Sequence, residues 1–235
     1  MVGAEQPDLV SGVPRARRAE AVEATWATVL GLRLAPWPAG ELRGPPGHLG
    51  LLVLDGLLCR EVLVGHRSYV ELLGEGDLLR PWDPLSDDAS SSAGTRWTAY
   101  SEVRLAVLDR AFALRIGAFP EITAALMGRG VRRSRWLAFH VAVAHLPQLD
   151  ARLRLMFGYL ADRWGRVTPA GMVIQLRLSH ELLGALVGAR RSPVTRALAR
   201  LRASGEVSRL PDGTWMLCAR PPEHVEHLGA RAWCS

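Results

Sequence analysis

The chain has 235 residues, of which 49% are hydrophobic, 6% aromatic and 22% charged, ordinary values for a globular protein and enough for one large core or two modest ones without covalent staples. No apolar run reaches the eighteen or so residues needed to cross a bilayer, and no basic start followed by an apolar stretch marks a secretory signal, so the expected location is the cytoplasm. The formal net charge is +6, and every one of the 29 basic residues is arginine.

That charge is unevenly spread. Residues 1–128 carry 12 arginines against 16 acids, a net of −4, whereas residues 129–209 carry 15 against 4, a net of +11. A surplus of that size on one part of the chain fits a polyanionic partner. The three cysteines, Cys59, Cys218 and Cys234, are odd in number and far apart, as free thiols in a reducing compartment would be.

In chain order, residues 1–29 read as a polar leader followed by a short helix near Ala19–Leu30. From about Leu32 to Leu114 short apolar runs alternate with Gly and Pro. Leu49–Leu54, Leu57–Val64, Tyr69–Leu73 and Val103–Leu108 are predicted strands, with turns at Asp55-Gly56, Gly65-His66 and Gly74 to Asp77. Evenly spaced short strands predict a small barrel or jelly roll, and the serine-rich stretch Asp87–Gly94 is a predicted loop. Beyond Pro120 the period is helical. Glu121–Leu146 predicts a long helix that Gly128 and Gly130 weaken and could divide. From Trp136 onward it is apolar on nearly every side, so one face wants a second copy of the chain. Pro147 ends it, and Leu149–Trp164 is the next predicted helix.

Met172–Leu176 is a predicted strand. Ser179 is a candidate N-cap, with Glu181 in the first turn of the helix that follows. Leu182, Leu183, Leu186 and Val187 form one stripe, and Gly188 makes a turn. The next helix places Val194, Ala197, Leu198 and Leu201 at i, i+3, i+4 and i+7, a buried face. Ser192, Arg196, Ala199 and Ala203 point the other way, beside Arg200, with Arg190 and Arg191 at the leading end. A small, basic helix of this kind fits a DNA major groove. Gly205 caps it, and Glu206–Leu210 and Thr214–Cys218 flank Pro211-Asp212-Gly213 as a hairpin. Helix, turn, helix and hairpin make a winged helix.

The segment Leu178 to Leu201 resembles the helix-turn-helix of the Crp/Fnr family of bacterial transcription regulators, and Asp212-Gly213-Thr214-Trp215 is similar to its wing tip. The resemblance implies an α+β fold with five parts. These are an N-terminal leader and short helix (1–29), a jelly-roll-like β-roll sensor domain (30–118) and a dimerisation helix (119–147), followed by a winged helix-turn-helix DNA-binding domain (148–218) and a C-terminal tail (219–235). It implies a homodimer on double-stranded DNA, with RNA polymerase as a further candidate partner and no membrane. In the family's recognition signature, Ser-Arg-Glu-Thr-Val-x-Arg, the two arginines match Arg191 and Arg196. Arg190 stands at the Ser position, Ser192 at the Glu position and Pro193 at the Thr position, so the operator is expected to differ. The DNA-contacting set expected from pattern and resemblance together is Arg190, Arg191, Ser192, Thr195, Arg196, Arg200 and the wing residue Arg209.

The sensor departs more. The family's cyclic-nucleotide pocket resembles Gly-Glu followed by Arg-Ser-Ala. Here Gly76-Asp77-Leu78 leads into Leu79-Arg80-Pro81-Trp82, and Ser91-Ser92-Ala93 stands where the arginine belongs. Without that cation the sensor is expected not to hold a cyclic nucleotide. It is either degenerate or adapted to a small-molecule effector of unidentified chemistry. No N-terminal cysteine cluster suits an iron–sulfur centre, and Cys218, His224, His227 and Cys234 fit no standard zinc spacing, so neither a cofactor nor a metal is expected. The seven histidines sit in no catalytic arrangement, and no phosphate-binding glycine loop or nucleophile elbow appears; the chain is expected not to be an enzyme. Two readings remain: a sequence-specific regulator, or an architectural or partner-binding DNA-associated protein with weak sequence discrimination.

Overall fold

The computed structural model describes residues 1–39, 44–65, 67–83 and 94–218. It divides into two compact units, Met1–Leu137 and Ala138–Ser235.

The first unit is built on two four-stranded antiparallel sheets. One has the order β1 (Thr28–Leu32), β8 (Val103–Leu108), β3 (Gly50–Asp55), β6 (Leu78–Leu79). The other has the order β2 (Pro36–Trp37), β7 (Gly94–Ala99), β4 (Leu58–Val64), β5 (Arg67–Leu73). Leu51, Val53, Val103 and Leu105 from the first sheet meet Leu58, Leu73, Trp97 and Ala99 from the second, which makes the jelly-roll core. A second core covers the opposite face of the first sheet. There Leu52, Leu54, Ala106 and Leu108 pack on Phe112 of α3 (Arg110–Arg115) and on Ile122 and Leu126 of α4 (Pro120–Ala144). Strand β3 is therefore covered on both faces, which is why it reads as a continuous apolar run rather than an alternation.

Three expectations are corrected here. The first residues are no polar leader: Val2, Leu9, Val10 and Val13 are buried in the second core, and a short helix, α1 (Val2–Glu5), begins the chain. The following helix, α2, covers only Arg18–Ala24, and Thr28–Leu32 is strand, antiparallel to β8. Helix α4 is also one uninterrupted helix through Gly128 and Gly130. The arginines around those glycines anchor it. Arg129 Nη2 donates to both carboxylate oxygens of Asp8 at 2.8 and 2.7 Å, and its Nη1 to Gln6 Oε1 at 2.7 Å. Arg133 donates twice to Glu71, at 2.7 and 2.9 Å, and once to the Leu78 carbonyl. Glu71 is wholly buried and also meets Arg60, its cross-strand neighbour, at 3.0 Å. Beside it, burial and the nearby carboxylates push the Cys59 thiol up to about 12, so it stays protonated and unreactive.

The second unit contains α5 (Leu149–Trp164), where that helix was predicted, and a four-stranded sheet of order β11 (Val207–Arg209), β12 (Trp215–Leu217), β10 (Gly171–Ile174), β9 (Gly165–Thr168). The expected strand at Met172–Leu176 is β10, shifted by a residue or two; its partner β9 had no sequence signal. Helices α6 (His180–Leu186) and α7 (Arg191–Ala203) complete the unit. Among the described residues no helix is long and apolar enough to cross a membrane.

Candidate nucleic-acid interface

The α6–α7 pair is held by local chemistry that its sequence spells out. Ser179 Oγ accepts the Leu182 amide hydrogen at 3.1 Å, capping α6. The turn closes when the Ala189 amide donates to the Gly184 carbonyl at 2.8 Å, with Gly188 at a φ of +64°. A Cβ on Gly184 would come within 2.5 Å of the Ala189 carbonyl oxygen, so the turn packs directly on helix backbone. Gly184→Ala is therefore expected to destabilise this unit by about 1–3 kcal/mol, the usual penalty for overpacking. Gly128→Ala, in open space on α4, should be stabilising by up to about 1 kcal/mol through helix propensity. Urea unfolding of both variants checks the opposite signs.

Helix α7 buries Val194, Ala197, Leu198 and Leu201, the stripe its spacing predicts. At its end the Gly205 amide donates to the Arg202 carbonyl and the Glu206 amide to Leu201, a Schellman closure with Gly205 at +73°. In the wing, Asp212 Oδ1 accepts from both the amide and the hydroxyl of Thr214. Those bonds lower its pKa, and the turn they close sets β12 against β11. The buried Trp215 then donates its indole N–H to the Leu178 carbonyl at 3.0 Å, tying the wing to the chain just before α6.

The expected contact residues separate into groups. Arg190, Arg191, Ser192, Thr195 and Arg196 are all exposed, on the leading turns of α7 or just before it. Arg196 Nη1 donates to Ser192 Oγ at 3.2 Å, one turn back on the same face. Thr195 donates its hydroxyl to the Arg191 carbonyl at 3.0 Å. Arg209 stands exposed at the end of β11, its guanidinium 5.9 Å from the Trp215 ring centre. Arg200 departs from expectation. It forms a forked ion pair with Asp150 of α5, at 2.9 and 2.5 Å, and that hydrogen bonding lowers the Asp150 pKa. A second fork, Arg154 with Glu206, runs alongside it. In the free protein Arg200 therefore braces α7 against α5.

One residue the pattern passed over belongs with the group. His180 lies beside Ser179, Glu181, Arg191 and Arg209 around a hollow of about 360 Å³, and its Nδ1 is 2.9 Å from Thr195 Oγ1. Burial, then Arg209, Arg191 and Arg202, lower its pKa below the ordinary imidazole value. Its position after an N-cap serine was the available signal. Among the described residues no three His, Cys, Asp or Glu side chains group as metal ligands; His224, His227, Cys234 and the Ser91–Ala93 stretch lie outside the described residues.

The model for the Crp-like helix-turn-helix domain matches residues 151–219. Residues 151–219 are a Crp-like helix-turn-helix domain. A curated relative of this chain, the regulatory protein CysR of Synechococcus elongatus, is 29% identical over 82 residues, 34% of this chain and 40% of that protein. The matched segment thus spans well under half of the relative's length. Solved structures cover far more. A CooA mutant from Carboxydothermus hydrogenoformans superposes over 82% of this chain and 84% of its own, with a TM-score of 0.63 at 18% identity. A cyclic nucleotide-binding domain containing protein from Listeria monocytogenes covers 92% and 94%, with a TM-score of 0.64 at 12% identity. At such identities the likeness is one of fold: a β-roll domain followed by a Crp-like helix-turn-helix, the α+β class expected from the sequence.

Proposed function

We propose that the chain is a sequence-specific transcriptional regulator that binds duplex DNA as a homodimer in the cytoplasm, without catalysing a reaction. The observation that carries this is the leading face of α7. Arg190, Arg191 and Arg196 are exposed there, paired with no acid among the described residues, on a helix of groove-fitting size in a Crp-like domain. Arg191 and Arg196 read base edges; Arg190, Thr195 and Arg209 hold the backbone. Ser192 steers Arg196. The β-roll takes no cyclic nucleotide, and RNA polymerase is the natural further partner of a bound regulator. DNA selected from random duplexes should converge on an inverted repeat, bound at least about a thousandfold more tightly than random sequence at physiological salt. Equal affinity for both would leave only an architectural role.

The dimer rests on α4. Met127 and Val131 are exposed by 67% and 50%, and Val141 by 58%. With Ser134 and Ala138, also exposed, they recur at alternating steps of four and three, the spacing of a coiled-coil seam. A second copy of the same helix fits that stripe. Sedimentation should report twice the 25.7 kDa chain mass, and the double variant Val131→Asp, Val141→Asp should report a folded monomer. A wild-type monomer that still binds its operator tightly would sink this part.

A further inference from the structure

The hollow formed by Ser179, His180, Glu181, Arg191 and Arg209 lies beside the leading end of α7 and is lined from three elements. We infer that it is a seat for one backbone phosphate of DNA, and that His180 makes the occupancy of that seat depend on a proton. This rests on the DNA-binding reading and adds to it a specific ligand group and a regulated contact.

The Thr195 hydroxyl spends its proton on the Arg191 carbonyl, so its oxygen accepts from His180. That fixes the hydrogen of the neutral imidazole on Nδ1, 2.9 Å from Thr195 Oγ1. The lone pair is then on Nε2, for which no hydrogen-bond partner occurs among the described residues. The ring is further held by the Trp215 ring, 6.0 Å away between centroids. An imidazole clamped on one nitrogen presents the other in a defined direction, as a positioned ligand-binding group must.

Charge sets what it binds. Arg191 comes from α7 and Arg209 from β11, Glu181 from α6 beside the histidine, and Arg202 of α7 acts on the ring at longer range. Around the hollow itself, two arginines against one carboxylate give one net positive charge while His180 is neutral, and two once Nε2 is protonated. The arginines attract a phosphate in both states, but Nε2 can donate to its oxygen only in the second, in a charge-assisted hydrogen bond; the neutral ring turns a lone pair towards it. The same arginines make protonation unfavourable in the free protein: after burial, they are what lowers the His180 pKa. A phosphate in the seat cancels their field, so the pKa rises on binding. The sign follows. At a pH where the free ring is neutral and the bound ring charged, binding takes up a proton, and affinity must increase as pH falls. Well above both values the ring is neutral in each state, and this contact adds no pH dependence.

The test is operator binding by the full-length wild type, His180→Gln and His180→Arg between about pH 8 and pH 6, the range in which imidazoles titrate. The probe is a duplex selected as described above, at constant salt, with circular dichroism confirming the fold at each pH. The wild type should tighten by about threefold or more per half-site as pH falls, towards the limit of about tenfold per pH unit for one proton. His180→Gln should lose that tightening and bind as the wild type does at high pH. His180→Arg should bind tightly at every pH. A flat wild-type profile, or the same slope in His180→Gln, would overturn the proton-linked seat while leaving DNA binding intact. Absence of selective DNA binding at any pH would instead count against the regulator reading itself.

Discussion

Glu71→Gln is expected to destabilise the N-terminal unit by about 3–5 kcal/mol, the cost of breaking a buried ion pair from one side. Glu71 is fully buried, and the Arg60 and Arg133 side chains are only 19% and 16% exposed. One carboxylate thus serves two guanidinium groups. Burial works against both cations. At Arg60 it prevails and lowers the pKa; at Arg133 it is again the largest single effect, but the hydrogen bonds and charge attraction of Glu71, with Asp77 and Tyr69, together exceed it and the pKa is raised. The carboxylate therefore belongs chiefly to Arg133, and its loss strands two charges in a region with little water. The amide keeps the shape of the side chain, so the penalty is electrostatic rather than a cavity. Arg133→Met in the Glu71→Gln background removes one of the stranded charges and should recover part of the loss. Denaturant unfolding of the single and double variants measures this. A loss below about 1 kcal/mol would mean that water reaches the triad freely.

Arg196→Ala should weaken operator binding about 10- to 100-fold and relax the preference at one base pair per half-site, because an arginine fork on guanine O6 and N7 contributes roughly 1–3 kcal/mol of discrimination. The hydrogen bond that its Nη1 donates to Ser192 Oγ holds the side chain along the exposed face, away from the buried Val194, Leu198 and Leu201. Arg209→Ala, at the wing, should weaken all sequences alike and reduce the dependence of log K on log salt by about one unit. Titrations with operator and random duplexes at several salt concentrations separate the two. Equal loss on both kinds of DNA for Arg196→Ala would remove its base-reading role. Arg200→Ala offers a contrast: with its guanidinium already committed to Asp150, its first effect should be on how firmly α7 is braced rather than on the salt slope.

By itself the sequence determined the parts of this protein whose signals are local. The α5 limits, the Ser179 cap, the buried stripe of α7, the glycine closure at Gly205 and the hairpin around Asp212-Gly213 all depend on residues within a turn or two of one another. Periodicity and capping chemistry therefore reach them directly. The basic face of α7 was legible for the same reason, since a helix converts spacing into facing. Only the tertiary structure decided the rest. Residues 2–13 show no periodic apolar pattern in chain order, yet Val2, Leu9, Val10 and Val13 are buried by α3, α4 and the outer face of a sheet, with residues drawn from Leu52 to Leu126 along the chain. The partners of the charged side chains were equally hidden: Arg133 finds Glu71 across 62 positions and Arg200 finds Asp150 across 50. Nothing local distinguishes an arginine that braces a helix from one that meets a phosphate, because that choice depends on which carboxylate the fold brings within reach. His180 belongs to the same class. Its chemistry arises only where α6, α7 and the wing converge, and no spacing rule along the chain encodes that convergence.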